Sequence, residues 1–186
     1  MSQRIVLFGG AFDPPHNGHV AMAQAATDEI QPDKLLWIPT ARPAHRQPAV
    51  ATFQQRCDMI QLITDTQSCW EVCPIEAERE GISYFVDTLN AIEKDCPDAQ
   101  FYLLLGADQL NQLTQWHQWR TIHSKVTLVV MPRTGSDPSE AIKELNAIQL
   151  HAKPVAISSS DIRSKNQLTE IPSAVAHYLL QHKLRY

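Results

Sequence analysis

An unbroken apolar run, Ile5 to Phe8, is followed by two glycines, then by apolar positions at helical spacing from Val20 to Ile30, then by a second apolar run, Leu35 to Pro39. Short continuous apolar runs bounded by turn residues read as buried strands and 3.6-residue spacing reads as helix, so the chain opens as a βαβ unit. The rhythm continues. Thr52 and Gln55 form a capping box for a helix to about Asp65; Trp70 to Ile75 reads as strand, Ser83 to Cys96 as helix, and Phe101 to Leu105 as strand. Asp108 to His123 reads as helical segments and Val126 to Met131 as strand. Asp137 to Ala147 is expected to be helical, Val155 to Ile157 a short strand, Ser159 to Asn166 a helix, and Pro172 opens a last helix ending near Lys183. Strands alternating with covering helices predict an α/β fold, a doubly wound parallel sheet with helices on both faces and ligands beyond the carboxyl ends of the strands. A single domain over residues 1–186 is expected, with a small helical part from about residue 158.

Composition narrows the partners. A net charge of −4 gives no general attraction to nucleic acid or to an anionic membrane, so anion binding must come from local donors and the expected substrate is a small molecule. No apolar run reaches the length of a membrane span, and the N-terminus enters a strand without the regions of a signal peptide; a cytoplasmic protein is expected. Cys57, Cys69, Cys73 and Cys96 lack the paired spacing of a zinc site and read as free thiols. The helices Pro172 to Lys183 and Asp137 to Ala147 could cover the core or carry an interface, so a homo-oligomer stays open.

The candidate chemistry sits at strand ends. Gly9-Gly10-Ala11-Phe12-Asp13-Pro14-Pro15-His16-Asn17-Gly18-His19 links the first strand to the first helix. Glycines allow close approach of backbone to ligand, and a helix start offers unpaired N–H groups and a positive dipole end, so the segment suits a polyphosphate. His16 and His19, three residues apart, would turn their rings to one side with N–H donors toward phosphate oxygens. An ordinary turn with two surface histidines is the alternative. Ile157-Ser158-Ser159-Ser160-Asp161-Ile162-Arg163 offers hydroxyls, a helix start and a guanidinium fork, a second phosphate clamp or a serine-rich helix cap. Gly106-Ala107-Asp108 ends another strand, where Asp108 could read a nucleotide or simply cap a helix.

The first of these segments resembles the G-x-F-D-P-x-H-x-G-H signature of the nucleotidylyltransferase superfamily, with every defined position present, and the second resembles its I-S-S-T-x-I-R motif. Glu76-Ala77-Glu78-Arg79 with Ser83-Tyr84-Phe85-Val86-Asp87-Thr88-Leu89 resembles the E-x-x-R…S-Y-T-x-D-T-L segment of bacterial nicotinate mononucleotide adenylyltransferases. Pro39 through Arg46, Arg56 with Met59, Gly106 through Trp116, Ile171 to Val175 and Tyr178 to Leu184 extend that resemblance over most of the chain. It implies a Rossmann-like sheet and transfer of the adenylyl group of ATP to nicotinic acid mononucleotide, with Mg²⁺ accompanying ATP. It also implies site roles. ATP would be held by Gly9, Gly10, Ala11, Phe12, His16, His19, Gly106, Asp108, Ile157, Ser158, Ser159, Ser160 and Arg163, with His16, His19 and Arg163 active in transfer. The acceptor would be held by Arg46, Tyr84, Phe85, Trp116 and His117, the counterpart of Trp116 stacking on the pyridine ring while backbone amides bind its carboxylate. Arg133 lies where it could also approach phosphate.

Phe85 replaces the family's threonine, Trp116-His117 its Trp-Tyr pair, and Ala44 and Arg46 its second loop proline and lysine. Nicotinamide mononucleotide, phosphopantetheine, or a regulator that binds nucleotide without catalysis therefore remain as alternatives. His16 and His19 as metal ligands lack a third partner motif, so no protein-held metal is expected. A class I aminoacyl-tRNA synthetase shares the histidine motif, but this chain leaves no room for tRNA-binding parts.

Overall fold

The computed structural model describes residues 2–43, 49–132, 138–152, 162 and 168–184. Strands β1 (Arg4–Gly10), β2 (Lys34–Pro39), β3 (Trp70–Val72), β4 (Gln100–Gly106), β5 (Val126–Met131) and β6 (Ile148–Gln149) form one six-stranded sheet in the order β3-β2-β1-β4-β5-β6. Every paired neighbour is parallel. The connecting helices are α1 (Asn17–Ile30), α2 (Phe53–Thr64), α3 (Phe85–Asp95), α4 (Ala107–Gln112), α5 (Trp119–Lys125), α6 (Ser139–Glu144) and α7 (Ser173–Gln181).

Alternation along the strands divides the core in two. Val6 and Phe8 of β1, with Leu35 and Trp37 of β2, face Ala23, Ala26 and Ile30 of α1, Met59, Ile60 and Ile63 of α2, and Val175 and Leu179 of α7. Ile5, Leu7, Leu36 and Ile38 point the other way, onto Val86, Leu89 and Ile92 of α3, Leu110 of α4 and Ile122 of α5. Continuous apolar strands are what a sheet buried on both faces demands, and both faces are covered here.

The strand order reverses between β1 and β4, and the sheet forks there. The β1–β2 register continues to Gly10↔Pro39 and the β4–β5 register to Gly106↔Met131. Between β1 and β4 it stops at Leu7↔Leu103, three residues short of the end of each strand. A crevice at this switch point is where open α/β sheets bind ligands.

Some expected boundaries move. The strand Trp70 to Ile75 ends at Val72, because Pro74 has no N–H for a sheet ladder and a 3-10 turn, Ile75–Glu78, follows. Helix α1 starts at Asn17, ahead of Val20, and α3 starts at Phe85, two residues after Ser83. Helix α6 is limited to Ser139–Glu144 within the expected Asp137 to Ala147. Strand β6 at Ile148–Gln149 is short and exposed, so it has no apolar run to announce it. The expected strand Val155 to Ile157 lies outside the described residues, as does the expected helix Ser159 to Asn166 apart from Ile162, which is buried. No helix among the described residues is long and apolar enough to cross a membrane.

Candidate active site

The loop between β1 and α1 is fixed from three sides. Phe12 takes φ 48°, a left-handed conformation that costs a non-glycine residue about 1–3 kcal/mol, and its ring turns into the core. There it packs edge-on against Phe8 at 5.3 Å and near Trp37 at 5.2 Å and His19 at 4.9 Å. Gly10 lies beneath that ring: a Cβ there would sit 3.0 Å from Phe12 Cζ. The glycine is thus required by the chain's own phenylalanine, and the phenylalanine can offer a nucleotide its backbone only. Asp13 is buried and its carboxylate accepts from the Val50 and Ala51 amides at 2.8 and 3.0 Å. Arg56, buried on α2, donates to the Ala11 carbonyl at 2.7 Å.

This loop delivers His16 and His19 to the start of α1 as a reciprocal pair. His16 is the N-cap, with extended backbone (φ −143°), one residue before the helix rather than on its first turn. Its Nδ1 accepts from the His19 amide at 3.3 Å, while His19 Nδ1 accepts from the His16 amide at 3.2 Å. The arrangement has the geometry of a capping box built from two imidazoles. The rings stack with centroids 3.7 Å apart and 25° between planes. Because each Nδ1 lone pair is used on a backbone N–H, each neutral ring carries its proton on Nε2. Burial, with the neighbouring His16 charge as a lesser cause, holds His19 well below the usual imidazole pKa, so at neutral pH it is an uncharged N–H donor.

Across the fork stands Gly106, at the end of β4 and the start of α4. A Cβ on Gly106 would meet nothing within 4 Å, so space lies beside this backbone. Asp108 lies in the first turn of α4, whose N-cap has no side-chain capping bond.

The expected acceptor residues gather as two aromatic pairs. Phe85, the first residue of α3, packs edge-on against Trp116 at 5.7 Å and 61°, and Tyr84 lies against His117 at 4.3 Å and 35°. The ring of Phe85 also reaches β1: a Cβ on Gly9 would touch it at 3.6 Å. The pairs therefore lie across the ends of β1 and α3. Trp119, the first residue of α5, is half-buried against the α3-side core. Arg46, Arg133, Ala44, Ile157, Ser158, Ser159, Ser160, Asp161 and Arg163 lie outside the described residues.

Residues 7–165 match the family model described as cytidylyltransferase-like. A Bordetella petrii protein named a probable nicotinate-nucleotide adenylyltransferase is 38% identical over 98% of this chain and 98% of its own length. One from Salinibacter ruber with the same name is 34% identical, covering 96% of this chain and 95% of its own. The chain belongs to the nicotinate-nucleotide adenylyltransferase family. The family fold is shared by more distant structures: the nicotinic acid mononucleotide adenylyltransferase of Plasmodium falciparum complexed with NaAD superposes with a TM-score of 0.85 at 17% identity, covering 98% of this chain and 97% of that one.

Within the family frame, some residues that build the site escaped the sequence reading. The reciprocal histidine cap was legible in principle, since His-x-x-His has the spacing of a capping box, but imidazole is not among the usual capping groups. Arg56 and Glu76 stood out only as parts of a resemblance. Nothing local in the sequence signals that Arg56 crosses to the carbonyl of Ala11, or that Glu76 is a buried carboxylate.

Proposed function

We propose that this protein transfers the adenylyl group of ATP to nicotinic acid mononucleotide, giving deamido-NAD and pyrophosphate. The reading is carried by one observation above all: a pair of mutually capped imidazoles, with His19 held uncharged, at the head of α1 beside the forked ends of β1 and β4. Relatives matched over nearly their full length bear the corresponding name.

In this reaction a 5′-phosphate oxygen of the acceptor attacks the α-phosphorus of ATP in line, the bond to the bridging oxygen breaks, and pyrophosphate leaves with the electron pair. The nucleophile is already an anion, so no base need deprotonate it and no covalent enzyme intermediate is needed. The protein's task is to align the two phosphates and stabilise charge growing on the leaving group. Neutral imidazole N–H groups fixed by the backbone can do this without reorganising. Backbone at Gly9, Gly10, Ala11 and Phe12, with Gly106 and Asp108, would line the ATP side, and Tyr84, Phe85, Trp116 and His117 the acceptor side. Ile157 through Ser160 with Arg163 would form the second phosphate clamp, and Arg46 a cation over the triphosphate.

Mg²⁺ would enter with ATP as part of the substrate and supply positive charge that offsets the charge of its phosphates. Among the described residues no three His, Cys, Asp or Glu side chains group as ligands, and the Asp13 carboxylate accepts two backbone N–H bonds. The enzyme is placed by this reading in the cytoplasm, acting on small molecules, with assembly into a homo-oligomer left open.

The test is magnesium-dependent pyrophosphate release from ATP with nicotinic acid mononucleotide, nicotinamide mononucleotide and phosphopantetheine side by side, with His19→Ala as control. Turnover on the first acceptor, lost in the control, is the expected result. The edge-on packing of Phe85 on Trp116 supports one second reading, a pocket altered enough to prefer the amide. Faster turnover of nicotinamide mononucleotide would establish it, and ATP binding without turnover of any acceptor would mark a regulator.

A further inference from the structure

Helix α3 begins without the usual fastening. Its N-cap, Tyr84, makes no side-chain capping bond, and the Ser83 hydroxyl beside it accepts from the Arg42 amide at 3.2 Å. The helix start is instead tied to two other segments. The Ser83 amide donates to the Arg42 carbonyl at 2.9 Å, and the Arg42 guanidinium donates to the carbonyl of Arg79. At the centre is Thr88, fully buried one turn into α3, whose own amide donates to the Tyr84 carbonyl at 3.4 Å. Its hydroxyl accepts from Arg79 Nη2 at 2.6 Å and donates to Glu76 Oε1 at 2.9 Å, while Glu76 Oε2 accepts from the Ala41 amide at 3.1 Å.

We infer that Thr88 is a positioning residue for the acceptor half of the site, its hydroxyl linking Glu76 and Arg79 so that the turn carrying Tyr84 and Phe85 is held against the loop after β2. A hydroxyl is suited to this place because it can accept and donate at once, satisfying a cation on one side and a buried carboxylate on the other. Valine has nearly the same shape and can do neither, leaving the buried Glu76 oxygen without its donor. What the link controls follows from its neighbours. Tyr84 and Phe85 are the residues that meet His117 and Trp116, whereas the β1–α1 loop is held separately by Asp13 and Arg56. Loosening Thr88 therefore disturbs the acceptor side and spares the ATP side. The inference rests on the proposed acceptor role of Tyr84 and Phe85.

Thr88→Val and Thr88→Ser separate the hydroxyl from the rest of the side chain. Amide hydrogen exchange, measured without any substrate, should speed up at Ala41 and Ser83 in Thr88→Val and stay near wild type in Thr88→Ser. In steady-state kinetics, Thr88→Val should raise KM for nicotinic acid mononucleotide about tenfold while KM for ATP stays within about twofold, and Thr88→Ser should restore the first value. Unchanged exchange in Thr88→Val overturns the link itself. Faster exchange with both KM values moving together, or neither moving, overturns its assignment to the acceptor side. Wild-type silence on nicotinic acid mononucleotide would sink the proposed reaction instead, with the exchange result still deciding whether Thr88 holds the turn.

Discussion

His16 and His19 hold each other's backbone: each imidazole accepts, through Nδ1, the amide hydrogen of the other residue, at 3.3 and 3.2 Å. The reciprocal pair thereby caps α1 and sets the tautomer of two rings. On the proposed reaction, catalysis and local stability are joined in the same atoms.

Replacing His19 with alanine should lower turnover about 10²–10³-fold, the usual effect of removing one donor that stabilises developing charge. The same change removes the acceptor for the His16 amide and should cost about 1 kcal/mol, as loss of a helix cap does. Pyrophosphate release and chemical denaturation measure the two effects separately. Near-wild-type turnover in the folded variant would rule out the donor role.

The half-buried, uncharged state of His19 makes a second prediction, in pH. Its folded-state pKa is depressed below the value of 6.5 for a free imidazole, first by burial and then by His16. The unfolded chain thus binds the proton at higher pH than the folded one does. The folding free energy should be unaffected by this group above about pH 6.5 and should fall as pH drops below it, until the folded-state pKa is reached. Denaturation curves between pH 7.5 and 5 should show this slope in wild type and a shallower one in His19→Asn. Equal slopes would mean that His19 does not titrate differently on folding.

The glycines of the two strand ends should respond in opposite ways. A Cβ at Gly10 would lie 3.0, 3.2 and 3.3 Å from three atoms of the Phe12 ring, which is itself wedged among Phe8, Trp37 and His19. Gly10→Ala should therefore destabilise by about 1–3 kcal/mol, as overpacking a filled core does. Gly106→Ala meets nothing within 4 Å and should fold with little loss, yet weaken ATP binding if nucleotide occupies the open space. Urea titration and an ATP-binding isotherm on both variants make the comparison.

The differences between sequence and structure have local causes. The run Val126 to Met131 was legible to the residue because its one polar position, Thr127, sits inside an otherwise apolar run whose other positions are all buried. Strand β6 was not, since it is two residues long and Ile148 and Gln149 are both exposed. The histidine motif was visible as a motif, but its mechanics were not: ring stacking and mutual capping depend on Phe12 taking a left-handed turn and burying its ring. The proposed acceptor side was least legible. Tyr84 and Phe85 adjoin Trp116 and His117 only after α3 and α4 are laid on the same face of the sheet, and Thr88 joins Glu76 and Arg79 only after a 3-10 turn replaces an expected strand end.

Away from the crevice, Tyr178 of α7 donates to Asp58 Oδ2 of α2 at 2.7 Å, while Val175 and Leu179 of the same helix enter the core. Burial and this bond to Asp58 push the Tyr178 pKa up to about 12 from an ordinary value of 10. The hydroxyl is thus better kept protonated in the folded protein, and its contribution is complete below about pH 10 and lost as pH rises toward 12. Tyr178→Phe removes the bond and keeps the ring. It should cost about 0.5–1.5 kcal/mol at neutral pH, the net worth of a typical hydrogen bond. Turnover should be unchanged, because α7 packs on α2 and its side chains are absent from the two aromatic pairs and the histidine cap. A stability loss in that range with unaltered kinetics would show that α7 serves the core alone, whereas a fall in turnover would show that its docking on α2 is felt through Arg56 at the Ala11 carbonyl.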